Sequence, residues 1–80
     1  MNPSTLLRAI EEYKSIPGNG VGGSLHIYTD DGNYEREHIE FCRVYARENN
    51  DLLGELLARE LLKLTVGERQ ELYERHWGRA

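Results

Sequence analysis

His38 and Cys42 stand four residues apart, the spacing that sets two side chains on one helix face, as a pair of metal ligands needs. A complete site takes two more ligands, and His26, Asp30 and His76 are the residue types at hand. No second pair at ligand spacing accompanies them, so Cys42 reads as a small buried hydrophobe and His38 as a surface residue near a helix start. His26 with Asp30 or Asp31 is a second candidate, an acid–base or hydrogen-bonded pair where an element runs into its turn. No nucleophile is marked out beside it, since Ser24 and Thr29 belong to no elbow or triad. Gly18, Gly20 and Gly23 follow the G-x-G-x-x-G pattern that lets a backbone approach a pyrophosphate. That pattern works between a strand and a helix, and here a helix precedes and an extended segment follows. Residues 17–23 therefore read as a glycine-rich connector. The expectation is a protein that is not an enzyme and takes no cofactor. The alternative is a small nucleotide- or metal-binding protein using the glycine loop with His26 and His38.

Charge narrows the partner. Ten Lys and Arg against fourteen Asp and Glu give a net charge of −4, a poor balance for tracking phosphates. The imbalance sits in residues 30–40, where Asp30, Asp31, Glu35, Glu37 and Glu40 face only Arg36. An acidic helix start accounts for part of it, because the helix dipole favours carboxylates there. Arg36, Arg43 and Arg47 line one side of a helix but are interleaved with Glu37, Glu40 and Glu48, so nucleic acid is not the expected partner and a nucleic-acid binder is the third reading. A protein partner is expected, with His26, Tyr28, Asp30, Asp31 and Asn33 as its contact face. Trp77 is a further candidate anchor, since aromatic residues concentrate at interface hot spots.

These residues need elements to hold them. Asn2 caps a first helix with Pro3 at its first position, and Leu6, Leu7, Ile10 and Tyr13 share one face. Ser24 to Thr29 alternates, with Leu25 and Ile27 on one side and His26 and Tyr28 on the other, which predicts a strand. Asp30-Asp31-Gly32-Asn33 is a turn. Asn33 then caps a helix whose inward stripe is Ile39, Cys42, Tyr45 and Ala46, widened by Phe41 and Val44. Asn49-Asn50-Asp51 breaks it and can cap the next. Leu52, Leu53, Leu56, Leu57, Leu61, Leu62 and Leu64 make the next helix the most apolar, with Gly54 its weak point, and two leucine faces predict a central position. Thr65 and Glu68 have capping-box spacing, opening a last helix anchored by Val66, Leu72, Tyr73 and Trp77 and stopped by Gly78. The fold expected is α+β and mostly helical, about four short helices in a single domain over residues 1–80. Its one strand, residues 24–29, follows the first helix. A lone strand leaves its backbone groups unpaired, so it is expected to pair across a homodimer.

Leu25-His26-Ile27, the Asp30-Asp31-Gly32-Asn33 turn and Phe41-Cys42 together resemble a group of short proteins encoded by tailed phages and prophages. The resemblance covers residues 24–75. It implies a strand, an acidic turn, a helix carrying Phe-Cys and a leucine-rich closing segment, and it implies no activity or catalytic residue. The context implied is an accessory protein of a phage or mobile element inside a bacterial cell. No apolar run is long enough for a membrane span, and the N-terminus lacks the layout of a secretory signal, so the expected compartment is the cytoplasm. The expected function is non-enzymatic, acting through protein–protein interaction as a homodimer.

Overall fold

The computed structural model describes residues 1–20 and 23–77, and these form five helices and no strand. In order they are α1 (Pro3–Ser15), α2 (His26–Thr29), α3 (Arg36–Glu48), α4 (Leu52–Leu62) and α5 (Val66–His76). Local chemistry starts most of them. The Asn2 side chain accepts from the Thr5 amide, and Pro3 fills the first position of α1, where a missing N–H costs nothing. Asp51 caps α4 through the Gly54 amide. Thr65 and Glu68 complete both halves of a capping box at α5. Asn50 closes the α3–α4 turn at φ 58°, a left-handed conformation that asparagine adopts more readily than most residues.

The expected α+β fold is corrected at residues 24–29. The segment is the short helix α2, so the strand paired across a homodimer does not exist. Its backbone satisfies itself: the Tyr28 and Thr29 amides donate to the Leu25 carbonyl, and the Asp30 amide to that of His26. Ser24, Leu25, Tyr28 and Thr29 are the buried residues, and Tyr28 and Thr29 follow Ser24 and Leu25 at spacings of three and four. A strand would have turned Tyr28 away from Leu25, and the large apolar ring is better buried beside it. The connector expected at residues 17–23 includes Val21 and Gly22, which lie outside the described residues, as does Gly78, expected to end the last helix.

One core joins all five helices. Leu6, Ile10 and Tyr13 come from α1, Tyr28 from α2, Ile39 and Cys42 from α3, Leu57 and Leu61 from α4 and Leu72 from α5. Tyr28 is the hub of an aromatic cluster, edge-on to Tyr73 at 6.0 Å and to Trp77 at 5.7 Å between ring centroids. Arg69 is only 3% exposed and holds the α4–α5 corner. Its guanidinium donates to the carbonyls of Tyr34 (2.7 Å), Leu61 (3.1 Å) and Leu64 (2.6 Å), two of which lie where α4 ends and its carbonyls lack helical partners. Burial pushes the Arg69 pKa down from its usual high value, and the guanidinium is the fork that three carbonyls in different directions require.

Candidate functional site

The residues with candidate chemistry are dispersed. Burial lifts the Cys42 thiol to about 11, so it is a protonated core group. His38 is half-buried on the first turn of α3, with its Nδ1 lacking a partner. Among the described residues no three His, Cys, Asp or Glu side chains gather as a metal ion requires. His26 sets Nδ1 3.0 Å from the Gly23 carbonyl and Nε2 4.0 Å from the Asp31 carboxylate, which ties the ring to its own turn. His76 pairs with Glu11 across the α5–α1 contact. The glycine loop folds against its own backbone: the Asn19 amide donates to the Ile16 carbonyl, and a Cβ on Gly23 would stand 2.5 Å from the Asn19 carbonyl oxygen. Gly23 is therefore required by a close approach within the loop.

The expected contact face is broken up in the same way. Tyr28 is fully buried and its hydroxyl donates to the Arg69 carbonyl at 2.9 Å, so its ring has no surface to offer. Burial pushes its pKa up, which keeps the hydroxyl a donor. Asp30 is held by Lys14 at 2.6 Å, a pair that fastens α2 to the end of α1. The Asn33 amide donates to the Ile27 carbonyl and closes the turn. Asp31 remains the open carboxylate of the group. Trp77 is half-buried against Tyr28 and Tyr73.

A polar groove of about 330 Å³ runs between the glycine loop and the α3–α4 turn, with Ser24, Tyr45, Asn49 and Asp51 among its walls. Among the described residues that line it, the Asp51 carboxylate is the only charge, and it is already occupied. Tyr13 donates to it at 2.5 Å, Ser24 at 2.8 Å and the Gly54 amide at 2.9 Å, while the Ser24 amide donates to the Tyr13 hydroxyl. Burial raises the Asp51 pKa, but these three donors outweigh it and hold the carboxyl below the usual range. A carboxylate so stabilised is a weak base, and the network joins α1, the loop and α4.

The feature that the interior leaves over is apolar. Tyr45 was expected to face inward on α3, with Phe41 and Val44 widening the same stripe, yet all three are exposed, Phe41 by 57%. On α4 one leucine face is buried, and the other, Leu52 (75%), Leu53 and Leu56, lies open. Phe41 and Tyr45 stack on each other one turn apart, and Val44 lies between them along the helix. The two stripes sit on the outward sides of the two helices that pack together most extensively, with Arg43 of α3 4.0 Å from Glu55 of α4. The leucines and aromatics were visible in the sequence; their exposure was not, because it depends on which elements remain to cover them.

No helix among the described residues is long and apolar enough to cross a membrane. Comparison with protein-family models, with curated proteins and with solved structures finds no match for this chain.

Proposed function

We propose that this chain is a non-enzymatic accessory protein of a phage or mobile element, acting inside the bacterial cell by binding protein. The observation that supports the reading is the open face of α3 and α4. An 80-residue chain has little apolar material to spare for its core, yet six large apolar side chains stand outside it here. Exposed leucines scattered singly need no explanation, but two stripes on adjoining helices have the make-up of a recognition surface. The phage context rests on the resemblance at residues 24–75 alone. Self-association belongs to the same proposal, moved from the absent strand to the helical face.

The experiment is a pull-down from nuclease-treated bacterial lysate with the wild-type chain and with Leu56→Glu. Leu56 is exposed, so helical circular dichroism should match the wild type. A protein retained at fixed stoichiometry by the wild type and lost with Leu56→Glu supports the reading. Equal retention by both chains removes the α3–α4 face from it. Asp31→Lys serves as the comparison, because Asp31 is the open acid of the turn. Loss with Asp31→Lys alone would return the contact to the acidic turn.

A further inference from the structure

The outward stripe of α3 runs Glu37, Phe41, Val44 and Glu48 at spacings of three and four, with Tyr45 one turn after Phe41. The outward stripe of α4 runs Leu52, Leu53, Leu56, Arg59. One stripe is thus apolar between two acids, and the other apolar and closed by a base. Glu37, Glu48 and Arg59 are exposed, and none is in an ion pair among the described residues, unlike Glu40, Arg43 and Glu60 nearby. A basic or acidic partner would be met by a rim of one sign. A second copy carries the same rim, so it can be met only if acid and base are both present and placed to cross.

We propose that the outward α3–α4 face is covered by a second copy of this chain, α3 of each copy lying on α4 of the other around a two-fold axis. The inference rests on the protein-binding reading above and names its partner. Register supports it. The α3–α4 turn makes the helices antiparallel, so positions equally far from the turn are level, and Arg59 is level with Phe41. With α3 laid on the partner's α4, the partner's Arg59 stands one turn from Glu37, within reach of an arginine side chain. With α3 laid on α3, Glu37 of each copy meets Glu48 of the other, and like charges oppose. Of the two arrangements, only the crossed one places an acid of one rim beside a base of the other.

Area agrees with a dimer. The six apolar side chains leave on the order of 500 Å² uncovered, near the upper end of the largest patch a monomer exposes. With the polar rim added, that approaches the roughly 800 Å² per partner of a standard interface. The result is a four-helix layer across the axis, built by helix–helix packing.

The test is sedimentation equilibrium of the full chain with four variants: Leu56→Glu, Glu37→Arg, Arg59→Glu and the double swap Glu37→Arg with Arg59→Glu. The expected wild type is a dimer with micromolar dissociation. Leu56→Glu weakens it about a hundredfold by placing a charge in the apolar centre. Each single swap weakens it about tenfold, and the double swap returns it to near the wild-type value. A double swap no tighter than the single ones overturns the crossed arrangement. A wild type that stays monomeric at high concentration overturns the dimer. If that monomer still captures a lysate protein that Leu56→Glu loses, the protein-binding reading stands with a different partner; if it captures nothing, both fall.

Discussion

The Asp51 carboxylate accepts from Tyr13 on α1, from Ser24 beside the glycine loop and from the Gly54 amide on its own helix, tying three segments distant in sequence. The sequence showed only an asparagine–aspartate turn able to cap a helix; the two hydroxyls that reach it are brought by tertiary structure. The pH dependence follows from the direction of its shift. In the folded chain the carboxyl lies below its usual range, so the unfolded chain binds this proton more readily. The stabilisation is fully present above the unfolded value, near pH 4, and is lost as pH falls through the folded one. Asp51→Asn should therefore cost about 1 kcal/mol at neutral pH, and the gap to wild type should close below about pH 4. Thermal melts of both proteins across that range provide the measurement, and a gap that stays constant into acid would show that the charge of Asp51 contributes nothing.

Helices announced by their own caps were legible in the sequence, and the element whose type depends on packing was not. Asn2-Pro3 and Thr65–Glu68 act within a turn of themselves, so α1 and α5 begin where their residues say. The start of α3 was missed by two residues: Glu35 rather than Asn33 holds the N-cap position, and no side chain caps it. Six alternating residues at 24–29 fit a strand until the burial of Leu25, Tyr28 and Thr29 shows helical spacing. Likewise the second leucine face of α4 predicted a central helix, whereas the chain has no further described element to lay over it. Gly54, read as the weak point of α4, is instead required by its neighbour. A Cβ there would stand 2.6 Å from Asp51 Oδ2, and that oxygen cannot retreat while Tyr13 and Ser24 hold it. Helix propensity alone predicts that Gly54→Ala stabilises by about 1 kcal/mol. The close approach reverses the sign, and a loss of about 1–3 kcal/mol in urea denaturation is expected. Asp51→Asn leaves the crowding in place, whereas Asp51→Ala removes it, so Gly54→Ala should be tolerated better in the Asp51→Ala background.

At the scale of the molecule, the inner sides of five helices close one core while the outer sides of α3 and α4 remain apolar, and a small chain gains most by covering that face with itself. In the proposed dimer folding and association are linked, because a dimer stabilises the folded chain by mass action. A tenfold rise in chain concentration is worth about 1.4 kcal/mol to the dimer, and for a unit of this size that raises Tm by about 3–5 °C. Wild-type melts taken over two decades of concentration should shift accordingly. Leu56→Glu should melt at a Tm nearly independent of concentration below its weakened dissociation constant, since its folded state there is the monomer whose core it does not touch. Asp31→Lys should follow the wild type, because its carboxylate lies on the turn after α2 and not on the α3–α4 stripes. A wild-type Tm that does not move with concentration would mean the face is open at every concentration tested, and the two-fold arrangement would be wrong. The opposite pattern, a shift in the wild type that Leu56→Glu abolishes, that each single charge swap diminishes and that the double swap restores, ties stability to the crossed α3–α4 contact and not to general stickiness of leucine, which would survive each single reversal.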